Sequence, residues 1–256
     1  MNIKDVKAIV TGGASGMGRA FVLAIARDGG DVVAADVNPE GLATLAEASA
    51  DLPGTVYTRT ADVSSEDDVI ALIDGARADM GGLNVLVNNA GIFRDGLLVK
   101  VDRETGKVKG SMSLKNWQKV IDIDLTGPFL CAREFSRSHI DNGGTDAVIV
   151  NISSVARHGN AGQSNYSAAK AGLVADTKLW SLELSRYGIR TGAIAPGFIQ
   201  TPILDGMRPE MLEKMLKGVP LRRTGSPEEI YAGVRFIIEC GYFTGRCIDI
   251  DGGLTL

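Results

Sequence analysis

Seven short runs of apolar and β-branched residues recur along the chain, and longer segments of helical character separate them. The runs span residues 6–11, 31–36, 54–59, 83–88, 147–152, 189–195 and 246–251. Apolar residues point to both sides of each run, which is typical of strands covered on both faces. The alternation favours an α/β fold, in which a doubly wound parallel β-sheet carries helices on both faces.

Composition and charge exclude several classes of protein. The 256 residues carry a formal net charge of −4 without a Lys/Arg cluster, so we expect no nucleic-acid partner. No apolar run is long enough to span a membrane, and no signal peptide precedes the first strand, so we expect a cytoplasmic protein without membrane contact. Cys131, Cys240 and Cys247 form no paired motif, and the two histidines lie far apart. We therefore expect neither a disulfide framework nor a metal site.

A glycine-rich segment, TGGASGMG (residues 11–18), joins the first predicted strand to the first predicted helix. Gly12, Gly16 and Gly18 allow a tight turn and let a pyrophosphate approach the helix N-terminus, where N–H groups and the helix dipole favour anions. A strand-to-helix turn without a ligand would have the same composition, so the segment alone leaves both possibilities open. Ser15 and Met17 complete the candidate dinucleotide-binding loop.

Asp36 ends the second predicted strand and favours the cofactor interpretation. A carboxylate at this position can accept hydrogen bonds from an adenosine ribose and would repel the additional phosphate of NADP. The alternative is a helix cap, but Asn38 already occupies the capping position before Pro39. We therefore predict NAD as the cofactor, although Arg19 follows the glycine loop and would attract a phosphate.

Two further segments end strands at the same predicted sheet edge. Asp62 and Val63 follow the third run, where the carboxylate would meet an adenine amino group; the alternative is a turn aspartate ahead of a helix. The sequence NNAG (88–91) ends the fourth run and supplies Asn89, Ala90 and Gly91, whose small size suits close approach of a cofactor. Ligands of parallel sheets bind at the carboxyl ends of the strands, where all these residues lie.

Tyr166 and Lys170 are four residues apart in a predicted helix, so both lie on one helix face. A neighbouring ammonium favours a phenolate over a phenol and lowers the tyrosine pKa from its ordinary value of about 10. We therefore expect a group that exchanges a proton with an alcohol or carbonyl near neutral pH. Taken alone, this spacing is common on solvated helix faces.

These motifs are accompanied by NISSV (151–155), APGFIQT (195–201) and DGG (251–253). In this order, over essentially the whole length, the chain resembles the short-chain dehydrogenase/reductase family. The resemblance implies that residues 1–256 form a single dinucleotide-binding and catalytic domain with a Rossmann-type sheet. It also implies that Pro196, Gly197, Ile199 and Thr201 belong to the segment that covers the nicotinamide.

The resemblance assigns the catalytic roles. Tyr166 would be the acid/base, and Lys170 would bind the nicotinamide ribose and lower the tyrosine pKa. Ser154 would hold the substrate oxygen, with Ser153 as the alternative because the spacing from Ser154 to Tyr166 is one residue shorter than is usual in the family. Asp124 is a departure, since the family normally has an asparagine there. Its carboxylate would raise the pKa of Tyr166 or pair with Lys170.

The predicted function is an NAD(H)-dependent oxidoreductase that interconverts a secondary alcohol and a ketone. A first alternative is an NADPH-dependent 3-oxoacyl-thioester reductase, which the chain also resembles. A second, motivated by Asp124, is a nicotinamide-binding regulatory or scaffold protein with weakened catalysis. The resemblance also implies a homotetramer, in which helices at about 114–139 and 165–187 pair with their copies. Trp117, Ile121, Phe129 and Phe135 would supply the apolar contact surface.

Two segments are candidates for the substrate site. Residues 99–110 alternate like a β-hairpin beside the expected mouth of the site, and surface decoration is the alternative. Residues 203–218 place Met207, Met211 and Met215 four residues apart, which suits either an adaptable flap over the substrate or ordinary helix packing. His158 follows the NISS motif and lies close enough in sequence to touch a substrate, though a loop histidine is usually only surface.

Overall fold

The computed structural model of the protein describes residues 1–202 and 209–254. The strands are β1 (Lys7–Thr11), β2 (Asp31–Asp36), β3 (Val56–Thr60), β4 (Val85–Asn88), β5 (Val99–Val101), β6 (Val108–Ser111), β7 (Ala147–Ile152), β8 (Ile189–Pro196) and β9 (Arg246–Ile250). The α-helices are α1 (Gly16–Arg27), α2 (Pro39–Ser49), α3 (Glu66–Met80), α4 (Leu114–Ile121), α5 (Gly127–Asp141), α6 (Ser164–Leu184), α7 (Pro209–Leu216) and α8 (Pro227–Glu239).

Seven strands form one parallel sheet in the order β3-β2-β1-β4-β7-β8-β9. Side chains alternate between its two faces, as the period of a strand requires. Along β1, Ala8 and Val10 join the apolar cluster under α1 and α8, whereas Ile9 joins the cluster under α3, α5 and α6. This is the doubly wound, Rossmann-type arrangement that the alternating runs predict.

All seven predicted strands are present, but two are less covered than their apolar patterns predict. The sheet ends at β3 and β9, and most residues of both strands are only partly buried or exposed. An edge strand has one hydrogen-bonded neighbour and is reached by fewer helices, which explains the difference. The expected hairpin is also present, because β5 and β6 pair antiparallel outside the main sheet.

The predicted helix at 114–139 is interrupted. A π-helical turn spans Asp122–Thr126 between α4 and α5. The expectation that Phe135 contributes to a surface for assembly is wrong, because this ring is fully buried in the core cluster under α3, α5 and α6. The predicted helix at 165–187 corresponds to α6 and a 3₁₀ turn at Ser185–Tyr187. Among the described residues, none of the helices has the length and apolar character needed to cross a membrane.

Candidate active site

The glycine loop lies tightly against the ends of β1 and β4. Gly12 and Gly16 have positive φ angles of 67° and 53°, which favour glycine. A Cβ atom on Gly18 would lie 2.1 Å from the Gly12 carbonyl oxygen, so no side chain fits there. Asn89 braces the loop, since its Nδ2 donates to the Thr11 carbonyl at 3.0 Å. The loop therefore has the close backbone packing that the glycine spacing predicts.

The start of α1 fits an anionic group. Ser15 is the N-cap residue of α1, but its side chain makes no capping hydrogen bond, so the first N–H groups of this helix are left for another acceptor. Four other helices begin with a side chain that accepts a hydrogen bond from their first turn, namely α2 at Asn38, α3 at Ser65, α4 at Ser113 and α8 at Ser226. The residues of the loop therefore fit the pyrophosphate of a dinucleotide.

Asp36 lies at the carboxyl end of β2 with its carboxylate fixed. The Ala14 N–H donates to Oδ2 at 3.0 Å, and the Asn38 N–H donates to Oδ1 at 3.0 Å. These bonds tie the carboxylate to the glycine loop and leave it partly exposed. Arg19, the candidate attractor for a phosphate, is held on α2 instead, where its guanidinium donates to the Gly41 and Thr44 carbonyls.

Asp62 has the role of a turn residue in the structure. Its Oδ1 accepts hydrogen bonds from the Ser64 hydroxyl at 2.6 Å and the Ser64 N–H at 2.9 Å. The hydroxyl bond above all lowers the pKa of Asp62, against the effect of partial burial. Val63 is buried against Gly127. A contact between Asp62 and an adenine stays a prediction.

Tyr166 and Lys170 lie on one face of α6, as their spacing predicts. Lys170 Nζ is 5.4 Å from the centroid of the Tyr166 ring and donates to the Ile152 carbonyl at 3.1 Å. The tyrosine is 8% exposed and the lysine is buried. Both side chains therefore meet at the carboxyl end of β7.

The structure distinguishes the two candidate serines. Ser153 is buried, and its hydroxyl donates to the Lys170 carbonyl at 2.9 Å, which makes it a packing residue between β7 and α6. The Ser154 hydroxyl accepts from the Ala156 N–H at 3.1 Å and lies in hydrogen-bonding reach of the Tyr166 hydroxyl, where it lowers the tyrosine pKa. The geometry therefore favours Ser154 over Ser153 as the group that meets a substrate oxygen.

Asp124 lies at the centre of the π-helical turn with 0% of its surface exposed. Its Oδ2 is 3.2 Å from Lys170 Nζ, and its Oδ1 accepts from the Ile92 N–H at 2.9 Å. A Cβ atom on Gly91 would lie 2.7 Å from Oδ2, so the glycine of the NNAG motif leaves room for this carboxylate. Both outcomes expected for Asp124 are present, because it pairs with Lys170 and its charge raises the pKa of Tyr166.

The expectation that the pKa of Tyr166 is lowered towards neutral is wrong, because the pKa is raised instead. Burial raises the pKa of Tyr166 above its ordinary value of 10.0, and the nearby Asp124 charge raises it further. Lys170 lowers it as predicted but does not outweigh these effects. Burial disfavours the ammonium of Lys170, yet Asp124 and Tyr166 together more than compensate and the lysine pKa is raised. Burial also raises the pKa of Asp124, while Lys170 and the Ile92 N–H oppose that rise.

The segment after β8 lies beside the glycine loop. The Gly197 N–H donates to the Ile250 carbonyl, which fixes the chain just after Pro196. The side chain of Ile199 is buried in the core cluster under α1 and α8, so only its backbone is available to a nicotinamide. Thr201 Cγ2 lies 3.9 Å from where a Cβ atom of Gly16 would be. The segment is therefore well placed to cover the loop, and its contacts with a cofactor stay predictions.

One residue beside the site is missed by the sequence analysis. The ring of Phe93 lies against that of Tyr166, with 4.6 Å between centroids and 41° between planes. It is 40% exposed, so it presents an apolar surface next to the tyrosine. In the sequence, the signal that could have identified Phe93 is its position two residues after the NNAG motif. Asn165 fixes this segment through Nδ2, which donates to the Arg94 carbonyl at 3.1 Å.

The other candidates for the substrate site are less informative. His158 is exposed at the end of a 3₁₀ turn, Val155–His158. Met211 is exposed and Met215 half-buried on α7, whereas Met207 lies outside the described residues. The hairpin is joined to the site through Gly96, whose N–H donates to the Gly162 carbonyl at 2.7 Å. That contact places the base of the hairpin beside the start of α6.

Comparison with known proteins identifies the family. Residues 12–255 match the family model described as enoyl-(acyl carrier protein) reductase. The 3-oxoacyl-[acyl-carrier-protein] reductase FabG of Thermotoga maritima is 37% identical over 259 residues, covering 100% of both chains. The chain belongs to the short-chain dehydrogenase/reductase family. This confirms the resemblance that the ordered motifs indicate.

Members of the short-chain dehydrogenase/reductase family with other names are almost as similar. The cis-4-hydroxycyclohexanecarboxylate dehydrogenase of Sinomonas cyclohexanicum is 37% identical, covering 97% of this chain and 96% of the relative. The nodulation protein G of Azospirillum brasilense is 36% identical, covering 96% and 97%. The protein is therefore an oxidoreductase of a family that binds nicotinamide cofactors, and similarity alone does not select one substrate.

Proposed function

We propose that the protein is an NAD(H)-dependent oxidoreductase that interconverts a secondary alcohol and a ketone, and that the ketone is a 3-oxoacyl thioester. The observation that carries the reaction type is the meeting of Ser154, Tyr166 and Lys170 at the carboxyl end of β7. The relatives named 3-oxoacyl-[acyl-carrier-protein] reductase support the thioester better than an unspecified alcohol. Asp36 supports NAD(H) over NADP(H).

Each side chain of the cluster has a chemical role in the proposed reduction. The Tyr166 hydroxyl donates its proton to the carbonyl oxygen, and the Ser154 hydroxyl orients that oxygen by a hydrogen bond. Lys170 supplies a positive charge close to the tyrosine ring. A nicotinamide cofactor, when bound, supplies the hydride. The glycine loop and the start of α1 would hold the pyrophosphate, and Asp36 the adenosine ribose.

The cofactor proposal rests on the environment of Asp36. The carboxylate is fixed by two backbone N–H groups, so it cannot turn away from a 2′-phosphate without breaking them. Val37 is exposed directly after it and provides no positive charge. The guanidinium of Arg19 is engaged with α2. A phosphate at this position would face a negative charge without a nearby cation from these residues.

We expect a short 3-oxoacyl thioester to be reduced with NADH at a higher kcat/KM than with NADPH, by on the order of tenfold or more, or about 1.4 kcal/mol. Paired steady-state assays with thioesters of coenzyme A measure this ratio. A panel of simple ketones, diols and sugars run beside the thioesters tests the substrate class. A higher kcat/KM with NADPH would contradict the cofactor proposal, and turnover confined to the other ketones would contradict the thioester.

A matched pair of variants isolates the charge of Asp36. Asp36→Asn keeps an acceptor for the Ala14 N–H but removes the charge, so the preference for NADH should fall by several-fold or more. Asp31→Asn is the control, because Asp31 lies at the opposite end of the same strand and accepts from the Thr55 N–H at 2.8 Å. An equal change of preference in both variants would show that the effect is not local to the ribose position.

A second candidate substrate is a cyclic hydroxy acid. The relative named cis-4-hydroxycyclohexanecarboxylate dehydrogenase is as similar as the reductases. The exposed face of Phe93 beside Tyr166 supports this candidate, since an aromatic ring offers a flat apolar surface to a saturated ring. The same assays, run as oxidation with NAD, distinguish the two substrates by their kcat/KM.

We propose that the protein acts in the cytoplasm as a homotetramer without nucleic-acid or membrane partners. The helices expected to pair expose apolar side chains, with Phe129 44%, Leu179 48% and Leu182 75% exposed. Light scattering at micromolar concentration should give four times the chain mass. Leu182→Asp should shift that mass towards a smaller species, whereas Val108→Asp, on an exposed residue of β6 outside both helices, should not. A wild-type monomer would refute the proposal.

A further inference from the structure

The opposite charges of Asp124 and Lys170 lie close together beside the catalytic tyrosine and almost cancel. Lys170 Nζ lies over the Tyr166 ring at 5.4 Å from its centroid, and Asp124 Oδ2 lies 3.2 Å from the same Nζ. Both charged side chains are buried, so solvent screens their fields on the tyrosine only weakly. A lone ammonium would favour the phenolate, but an ammonium paired this closely does so far less.

The other charged groups near Tyr166 do not replace the neutralised ammonium. Asp95, on the segment before the hairpin, adds a further negative influence. Arg157, on the 3₁₀ turn after β7, is engaged with Asp249 at 2.8 Å. The Arg94 guanidinium donates to the Phe93 carbonyl at 2.7 Å. The sum of charges acting on the phenol from these elements is therefore set largely by Asp124 and Lys170.

Backbone groups hold both side chains of the pair in place. The π-helical turn brings Asp124 inward, the Ile92 N–H fixes its Oδ1, and Gly91 leaves space for its Oδ2. Lys170 is fixed in turn by the Ile152 carbonyl. If either side chain moved away, the other would remain in the core as an unpaired charge, so the pair persists in the folded protein.

We propose that Asp124 is a positioning residue that, by pairing with Lys170, adds to the effect of burial in keeping the Tyr166 hydroxyl protonated into the alkaline range, so that the protein reduces carbonyls across neutral pH but oxidises alcohols at an appreciable rate only at alkaline pH. The inference rests on the proposed function. In reduction the Tyr166 O–H bond breaks as the carbonyl oxygen takes the proton and the carbonyl carbon takes the hydride, which oxidises the nicotinamide. Oxidation needs the phenolate to accept the alcohol proton, and that form is scarce at neutral pH.

The isosteric variant Asp124→Asn tests the inference. It removes the negative charge, keeps an acceptor for the Ile92 N–H and leaves the Lys170 charge unopposed. We expect Tyr166 to titrate at least about one pH unit lower, which corresponds to about tenfold more phenolate at a given pH on the rising limb. The readout is the ultraviolet absorbance of tyrosinate against pH, with the matching Tyr166→Phe protein subtracted as background. The titration needs no substrate, so it can fail or succeed independently of the proposed function.

The kinetic readout and a control complete the test. The alkaline fall of kcat for reduction and the alkaline rise of kcat for oxidation should both move to lower pH in Asp124→Asn. Asp122→Asn is the control, because Asp122 lies in the same turn but is partly exposed and accepts from Gln118 Nε2 at 2.7 Å. An unchanged Tyr166 titration in Asp124→Asn, with or without a lower melting temperature, would overturn the inference. A shifted titration without turnover of any substrate would sink the proposed function alone.

Discussion

Tyr166→Phe is expected to lower kcat for reduction by roughly 10²–10⁴-fold, the usual contribution of a positioned acid or base. The substitution removes only the hydroxyl. The phenylalanine ring keeps its contacts with Phe93 and with Lys170, so the site should retain its shape and NADH should bind within about twofold of wild type. Steady-state kcat and the Kd for NADH, measured by cofactor fluorescence, check the two halves of this expectation.

Tyr187→Phe is the matched control for this loss of a hydroxyl. Tyr187 lies in the 3₁₀ turn that follows α6, partly exposed and stacked with Arg186, far along the helix from the catalytic pair. Its variant should turn over at the wild-type rate. Near-normal kcat in Tyr166→Phe would mean that another group transfers the proton, and equal losses in both variants would mean that the effect is not specific to the site.

The sheet could be predicted from the sequence because parallel strands covered by helices leave a strong pattern. The runs at 31–36 and 147–152 coincide with β2 and β7, where both neighbours and both helical layers are present. The pattern predicts burial less well for edge strands, because the residues of a strand do not determine where it lies in the sheet. The partly exposed β3 and β9 show this limit.

The candidate site could be predicted as far as local spacing determines contacts. Tyr166 and Lys170 share a helix face because of the geometry of an α-helix, and the strand ends converge because the strands are parallel. The sign of the Tyr166 pKa shift could not be predicted in this way. Burial, which depends on elements distant in sequence, outweighs the local effect of the lysine, and the charge of Asp124 adds to the rise of the pKa.

The neighbours of the site depend on tertiary placement as well. Phe93 reaches Tyr166 only because the segment after β4 returns to the start of α6. Phe135 illustrates the reverse case, since an apolar residue on an apparently exposed helix face is fully covered once α5 packs on the sheet. In both cases the residue type could be read from the sequence, but the residues that it contacts in the folded protein could not.

Lys170→Met should lower the free energy of unfolding by on the order of 3–5 kcal/mol, the largest loss of stability expected for any of the single substitutions. Methionine retains most of the length of the lysine stem, so packing changes little. The loss arises because Asp124, which is fully buried, is left without its counter-charge. Urea unfolding at one fixed protein concentration measures the change, since an oligomer makes stability depend on concentration.

The double variant Asp124→Asn/Lys170→Met distinguishes the lost ion pair from damaged packing. An asparagine is neutral and still accepts from the Ile92 N–H, so the double variant should be more stable than Lys170→Met, with a coupling free energy of about 1–3 kcal/mol. A double variant as unstable as the sum of the two single variants would show that the two side chains act independently, which would contradict the pairing argued for Asp124.

The pH dependence of Lys170→Met provides the sharper discriminator, because it reports the charge of Asp124 directly. Burial raises the pKa of Asp124 above its ordinary value of 3.8, and removing Lys170, which lowers it, raises it further. A carboxyl whose folded pKa is raised destabilises the protein only where it would ionise. The penalty is therefore absent below the unfolded pKa, grows as pH rises towards the folded pKa, and is complete above it.

The free energy of unfolding of Lys170→Met should accordingly fall below that of wild type by less at about pH 5 than at about pH 8. The double variant should show no such change with pH. A deficit independent of pH would mean that Lys170 contributes packing rather than charge, and that Asp124 is already neutral in the core.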